Sequence, residues 1–147
     1  MHEVGYPDPG TFLPTFATTA SWLDEALEGA RVTPERTVIG GFSQEAVMSY
    51  ALSLGARRPR PAAILAFSGF IPRVDGFELD LEVRAGLPVA IAHGTYDPII
   101  GVEWGRDARD RLEAAGAEVS YREDPVAHQI SPGGLAQARS VLEAALG

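Results

Sequence analysis

The stretch Thr37-Val38-Ile39-Gly40-Gly41-Phe42-Ser43-Gln44-Glu45-Ala46 decides how this chain folds. Its first four residues are rich in β-branched side chains, which predicts a short strand. A helical pattern begins directly after Ser43, so the serine lies at a sharp turn between a strand and a helix. A nucleophilic serine is exposed at a turn of this kind in the pattern G-x-S-x-G. The last glycine of that pattern is replaced by Glu45.

Helical and strand patterns alternate on both sides of this stretch. Residues 5–14 hold several glycines and prolines and predict a loop. The residues after the loop place apolar side chains on one helical face. Apolar runs at 62–67 and 89–92 predict buried strands, and 119–121 predicts a last short strand. The apolar positions of the first helix are Phe16, Ala20, Leu23 and Leu27.

The last helix of the chain is signalled by Ser131 and Pro132, which suit its N-cap and first position. The full order is helix, strand, helix, strand, loop, strand, helix, strand, helix. This alternation predicts an α/β fold with a mostly parallel sheet flanked by helices. No internal repeat or linker interrupts it, so residues 1–147 are expected to form one domain.

Composition narrows the classes of function. The chain has 12 Lys and Arg against 20 Asp and Glu, and its net charge is −8. Binding to nucleic acid is therefore not expected, because phosphate contacts need clustered basic residues. There is no cysteine, which excludes disulfides, thiolate metal sites and a cysteine nucleophile. No apolar run approaches membrane-spanning length and no signal pattern opens the chain, so we expect a cytoplasmic protein without stable membrane insertion.

Three residues that could carry chemistry follow the ends of predicted strands. Ser43 follows the first strand, Asp97 the third and His128 the last. Active sites of parallel sheets gather at these ends, and the chain order Ser, Asp, His is that of an α/β-hydrolase triad. His128 would take the proton of Ser43, and Asp97 would orient the imidazole. The backbone N–H of Gln44, at the start of the helix, would donate to an oxyanion.

Two other interpretations of these residues stay open. Glycine, serine and aspartate are common in turns, and a single histidine in a loop is usually structural or solvated. A metal could also be held by His93, Asp97 and His128. No pair among these three has the spacing that places two ligands on one helical face.

At these residues the chain resembles the phospholipase/carboxylesterase family of α/β-hydrolases, which includes the acyl-protein thioesterases. The resemblance lies in Gly41-Phe42-Ser43-Gln44, in 65–72, in 93–100 and in His128 with the two residues after it. It implies that Ser43 is the nucleophile, Asp97 the acid and His128 the base. It also implies hydrolysis of carboxylic esters or thioesters of small or lipid-like molecules, without a cofactor.

Two departures from the family pattern affect the oxyanion site. The family normally begins with further strands and a Leu-His-Gly turn that supplies a second oxyanion N–H. No such segment precedes residue 11, so we expect a chain truncated at its N-terminal side, a partial α/β-hydrolase fold lacking the first strands. The strand at 37–40 would keep an open apolar edge, which favours a homodimer. The second departure is Glu45, whose side chain must swing outward or loosen the turn.

The sequence thus supports two functions. The first is a serine hydrolase acting on a small ester or thioester substrate, with apolar contacts from the loop at 68–88. The side chains expected to make those contacts, or else to belong to the core, are Phe70, Ile71 and Phe77. The alternative is a catalytically impaired remnant or interaction module that retains the fold and the triad.

Overall fold

The computed structural model describes residues 3–147, and helices alternate with strands along them. Strands are short, as expected for buried parallel strands, and each is followed by a helix or by a long connection. Two short 3₁₀ turns, Pro34–Arg36 and Glu82–Arg84, lie in the connections. The main elements are α1 Pro9–Ala30, β1 Val38–Phe42, α2 Gln44–Leu54, β2 Ala63–Phe67, β3 Pro88–Gly94, α3 Val102–Ala114, β4 Glu118–Asp124 and α4 Pro132–Leu146.

The four strands form one parallel sheet in the order β1-β2-β3-β4. Gly40 of β1 is in register with Leu65 of β2, and Leu65 is in register with Ala90 of β3. The predicted mostly parallel sheet flanked by helices is confirmed. Because all strands run in the same direction, their carboxyl ends lie along one rim, where Phe42, Phe67 and Gly94 end β1, β2 and β3.

The main core lies between α2, the central strands and α3. Its side chains are almost fully buried, and Tyr50 is only 1% exposed. In a second, smaller cluster the rings of Phe12 and Phe16 on α1 pack with Phe77 of the loop after β2, and α2 contributes Ala51 and Met48. The two clusters fix α2 on both sides, and α2 carries Ser43 at its N-terminus. The main cluster is built from Ala46, Tyr50, Leu54, Ile64, Ala66, Ile71, Leu87, Val89, Ile91, Ala108 and Leu112.

The loop predicted for residues 5–14 is wrong over its second half, because α1 begins at Pro9. Proline suits the first position of a helix, where its missing N–H has no partner to lose. The carbonyl of Asp8 accepts from the N–H of Phe12 at 2.8 Å and closes the first turn. Pro14 lies inside the helix on its exposed side. The glycines and prolines therefore mark the start of a helix as well as the loop before it.

The predicted cap of the last helix is confirmed. Ser131 precedes α4, and its Oγ accepts from the N–H of Gly134 at 2.9 Å while Pro132 occupies the first turn. Such caps satisfy one of the backbone donors that a helix start leaves free. Within residues 3–147, no helix combines the length and the apolar character needed to cross a bilayer.

Candidate active site

Ser43 occupies a strained turn between β1 and α2. Its φ of 61° and ψ of −119° lie in a region that non-glycine residues rarely adopt. The N–H of Ser43 donates to the carbonyl of Phe67 at 2.9 Å, which anchors the turn to the end of β2. The turn also needs small neighbours, since a Cβ on Gly69 would lie 2.5 Å from the Cβ of Ala46. The strain presents the hydroxyl at the rim of the sheet.

Two hydrogen bonds join Ser43, His128 and Asp97, the three residues that the sequence predicts to be catalytic, and we call this chain of bonds the relay. Ser43 Oγ lies 2.9 Å from His128 Nε2, and His128 Nδ1 lies 2.7 Å from Asp97 Oδ2. An ionised carboxylate can only accept, so Nδ1 carries the imidazole proton and Nε2 is free to accept from the serine hydroxyl. The side chain of Asp97 is fully buried, whereas that of His128 is 19% exposed. The arrangement can move a proton from Ser43 to His128.

Asp97 is held in its ionised form. Burial opposes ionisation, but hydrogen bonds from His128 and from the N–H groups of Ile100 and Ile99 outweigh it and lower the pKa of Asp97 below its usual value. The two backbone donors reach Oδ1 at 2.9 and 2.8 Å, which leaves Oδ2 for His128. A charged partner is therefore ready to stabilise a protonated His128.

The loops that carry the acid and the base are bonded to each other. Thr95 donates its N–H to the carbonyl of Asp124, and Tyr96 donates to that of Val126. A Cβ at Gly94 would collide with backbone carbonyls of the second loop, so only glycine permits this approach. Shared backbone contacts of this kind fix the distance between Asp97 and His128.

The ring of Phe42 packs on the imidazole of His128, with centroids 4.7 Å apart. Phe42 is the residue between Gly41 and Ser43 in the nucleophile turn. Sequence reasoning missed this contact, because the position before the serine is variable in the G-x-S pattern. The contact ties the orientation of the base to the turn that carries the nucleophile.

The N-terminus of α2 lies directly after Ser43. Gln44 is the first residue of the helix, where no preceding turn supplies a carbonyl for its N–H. The positive end of the helix macrodipole adds to that donor. The N–H of Gln44 thus lies at the helix start, directly after Ser43, and its role as an oxyanion donor stays a prediction.

Glu45 takes the outward orientation. Its side chain is exposed, and one carboxylate oxygen accepts weakly from the N–H of Phe42 at 3.4 Å. A Cβ added to Gly41 would collide with the Cβ of Glu45. The bare backbone of Gly41 thus makes room for the larger residue, and the strained turn is retained.

A cavity of about 500 Å³ opens beside Ser43. Its apolar lining comes from α1, α2 and the loops after β2 and β3, and Glu3, Asp8, Thr11 and Thr15 add polar side chains. This volume lies within the range of small-molecule sites. The lining residues are Glu3, Val4, Pro7, Asp8, Thr11, Phe12, Thr15, Ser43, Gln44, Val47, Met48, Phe70, Ile99 and Ile100.

Only one of the three expected substrate contacts lines this cavity. Phe70 does so, whereas Ile71 is fully buried in the main core and Phe77 packs between Phe12 and Phe16. For Ile71 and Phe77 the structure favours the core alternative that the sequence left open, because the chain turns inward after Phe70. Sequence reasoning missed the walls formed by α1 and by Ile99, an exposed apolar residue that follows Asp97 closely.

A metal site is not formed by the histidines and carboxylates that the structure describes. Among residues 3–147, no group of three or more His, Cys, Asp or Glu could hold an ion. His93 is buried, and its Nε2 is already 2.7 Å from the carbonyl of Ile100. His128 is likewise occupied on both ring nitrogens by Asp97 and Ser43.

Comparison with known proteins shows the family and supports the fold. Residues 11–146 match the family model described as Phospholipase/Carboxylesterase. Acyl-protein thioesterase 1 of Debaryomyces hansenii is 27% identical over 97% of the chain, and the match spans 64% of that relative. The Bacillus cereus carboxylesterase has a TM-score of 0.73 and 26% identity, covering 88% of this chain and 59% of that one.

A plant structure shows the same fold at lower identity. Arabidopsis thaliana SOBER1 covers 99% of this chain and 71% of its own, with a TM-score of 0.73 and 21% identity. The solved structures and the curated relatives named here are longer than this chain. The chain spans 64% of the length of the Debaryomyces protein. The sheet and its flanking helices are those of a partial α/β-hydrolase fold.

Proposed function

Because the chain belongs to the phospholipase/carboxylesterase family, we propose that it is a serine hydrolase that cleaves carboxylic esters or thioesters. The observation that carries this proposal is the relay from Ser43 through His128 to Asp97, with both hydrogen bonds under 3 Å. The named relatives are thioesterases and carboxylesterases, which supports the same class of substrate.

The proposed acylation step begins when the Ser43 oxygen attacks the substrate carbonyl carbon. His128 Nε2 accepts the hydroxyl proton as the new C–O bond forms, and the carbonyl oxygen becomes an oxyanion. The N–H of Gln44 donates to that oxyanion. Collapse of the intermediate breaks the bond to the leaving alcohol or thiol, which takes the proton back from His128. The acyl group remains on Ser43.

In the proposed second step, water hydrolyses the acyl-enzyme. His128 Nε2 takes a proton from the water, whose oxygen attacks the acyl carbon. The second tetrahedral intermediate collapses, the bond to Ser43 breaks, and the serine oxygen recovers its proton from His128. Ionised Asp97 stabilises the imidazolium in both steps without itself accepting a proton.

The acyl side of the substrate is proposed to enter the cavity beside Ser43. Phe12, Val47, Met48, Phe70 and Ile100 give this cavity an apolar wall that suits a hydrocarbon chain. Burial of such a chain contributes about 0.8 kcal/mol per CH₂ group, so longer acyl chains are favoured until the cavity is filled. The structure supports an apolar acyl group better than a charged one.

The proposal is tested by turnover of p-nitrophenyl esters and by acid-quenched intact mass spectrometry. We expect turnover, and a mass increase of one acyl group located on Ser43. Ser43→Ala should abolish both, whereas the matched control Ser140→Ala, at an exposed serine of α4, should leave both unchanged. Turnover that persists in Ser43→Ala, or its absence from the folded parent protein, would contradict the proposal.

A second candidate, an interaction module with little turnover, is favoured by the outer edge of β1. No strand among residues 3–147 pairs with that edge. Beside it lies a groove of about 400 Å³, lined in part by Trp22, Leu23, Val38 and Ile39, and Trp22 is 66% exposed. Open edges with apolar flanks pair readily with another chain. We propose a homodimer through the β1 edge, with or without turnover at Ser43.

A further inference from the structure

His93 lies at the end of β3 with its side chain fully buried, and the relay does not use it. Its Nε2 is 2.7 Å from the carbonyl oxygen of Ile100. Its Nδ1 has no hydrogen-bond partner among residues 3–147. A carbonyl only accepts, so Nε2 carries a proton and donates it to the Ile100 carbonyl. A buried polar ring kept with one unpaired nitrogen needs an explanation.

The bond from His93 closes the loop that carries the catalytic acid. The loop leaves β3 at Gly94 and returns to the His93 ring at Ile100, six residues later in the chain. Within it, the N–H groups of Ile99 and Ile100 donate to Oδ1 of Asp97. The peptide groups around Ile100 therefore bond on one side to His93 and on the other to the carboxylate. Movement of Ile100 would move both donors to Asp97.

The His93 ring also lies close to the carboxylate without bonding to it. Nε2 is 3.7 Å from Oδ2 of Asp97, beyond hydrogen-bonding distance. The proton on Nε2 is donated to the Ile100 carbonyl and not to Asp97. Oδ2 consequently keeps its short bond to His128, 2.7 Å away. The imidazoles of His93 and His128 both lie near the Asp97 carboxylate. Because the Ile100 carbonyl accepts the hydrogen bond of His93, the carboxylate pairs with His128.

Helix α3 holds the His93 ring in place. Gly105 packs against it, and a Cβ at this position would lie 2.8 Å from Nδ1. The close approach of the helix leaves the ring no room to rotate away from Ile100. The residue at 105 therefore has to be small for His93 to reach the loop.

We propose that His93 is a positioning residue that holds the loop from Gly94 to Ile100, so that Asp97 presents Oδ2 to His128. This role rests on the proposed hydrolase function for its kinetic consequence, but the geometry it predicts is independent of turnover. His93 does not itself line the cavity or contact Ser43, so it acts through the loop that carries Asp97, Ile99 and Ile100.

The test compares two substitutions of similar size. In His93→Gln the side-chain amide can still donate to the Ile100 carbonyl, whereas His93→Leu removes the donor. Because loss of the donor should displace the Asp97 carboxylate, kcat for ester hydrolysis should fall roughly 10–100-fold in His93→Leu, with a smaller change in KM. His93→Gln should recover most of that loss. If His93→Leu does not fold, His93→Asn replaces it, because its shorter amide stops short of Ile100.

A second readout does not depend on turnover. The bond between His128 Nδ1–H and the Asp97 carboxylate is short and charge-assisted, so its proton should resonate far downfield in NMR. We expect this resonance in the parent and in His93→Gln, and its loss or shift in His93→Leu; Asp97→Asn assigns it. An unchanged resonance and unchanged kcat in folded His93→Leu would overturn the positioning role. A folded parent that shows the resonance but hydrolyses no ester would instead refute the hydrolase function.

Discussion

The two sides of Ser43 differ in how completely they are built. On the acid–base side, formed by Asp97, His128 and their loops, every polar group of the relay has a short partner. On the edge side, formed by the outer edge of β1 with Glu45 and Trp22, no strand among the described residues pairs with that outer edge. The hydrogen bonds needed to activate the serine are therefore all present, whereas within residues 3–147 we propose one backbone donor to the oxyanion, the N–H of Gln44.

The two sides contribute separately to the rate of hydrolysis, one by activating the serine and the other by stabilising the oxyanion. A hydrogen-bonded relay makes the serine a nucleophile, and its loss costs several orders of magnitude. One oxyanion donor contributes about 10²–10³ in rate. Ser43, with the relay and the N–H of Gln44, should therefore acylate and turn over. The predictions below test each side in turn.

The largest effect is expected on the acid–base side. Asp97→Asn should lower kcat by about 10⁴, because the amide favours the wrong imidazole tautomer and cannot stabilise the imidazolium. Steady-state hydrolysis of a p-nitrophenyl ester measures this loss. Asp110→Asn, at an exposed carboxylate of α3, is the matched control and should behave like the parent. A loss of less than tenfold in Asp97→Asn would contradict the role of Asp97 in orienting and stabilising His128.

The next effect concerns the open edge. Trp22→Glu places a charge on the exposed rim of the groove beside β1, and it should weaken homodimers at least tenfold by sedimentation equilibrium. Leu135→Glu makes the same change at another exposed apolar residue, on α4, and should not alter assembly. A parent protein that stays monomeric at all concentrations would show that a second copy does not cover the edge.

A smaller effect is expected at Glu45. Glu45→Gly should raise ester turnover, by a factor of about 2–10, since a carboxylate near the helix start opposes the oxyanion but is exposed and screened. It should also lower the free energy of unfolding by about 1–2 kcal/mol, through lost helix propensity and lost charge at the helix N-terminus. Chemical denaturation and steady-state kinetics measure the two changes.

Glu45→Gln separates charge from shape at this position. If charge is responsible, Glu45→Gln reproduces the rise in turnover without the full loss of stability. If only Glu45→Gly raises turnover, the side chain acts by its bulk against Gly41. Unchanged or lower turnover in both variants would show that the edge side accommodates Glu45 without cost to the reaction.

The smallest expected effect is on acid stability. The folded pKa of Asp97 is lowered from 3.8, so its ionised form stabilises the fold. That contribution is fully present above the ordinary pKa and is lost as pH falls through the lowered folded value. Urea unfolding between pH 6 and pH 3 should therefore show a shallower acid decline in Asp97→Asn than in the parent. Equal slopes would mean that Asp97 does not gain its stability from ionisation.

The sequence predicted the sheet because buried parallel strands leave continuous apolar runs, such as the one ending at Phe67. It predicted Ser43, Asp97 and His128 as catalytic residues because each follows the end of a strand. It misjudged Pro9, since proline signals both a loop and a first helical turn. It left open whether Ile71 and Phe77 contact substrate or belong to the core, because the direction in which a loop turns is set by tertiary packing that no local pattern encodes.

The central claim is that Ser43 is an activated nucleophile. It is tested most directly by treating the folded protein with a fluorophosphonate and mapping the label by mass spectrometry. The prediction is one label per chain on Ser43, absent in Ser43→Ala and formed far more slowly in Asp97→Asn. A folded parent that takes no label, or takes it on another residue, would contradict the claim.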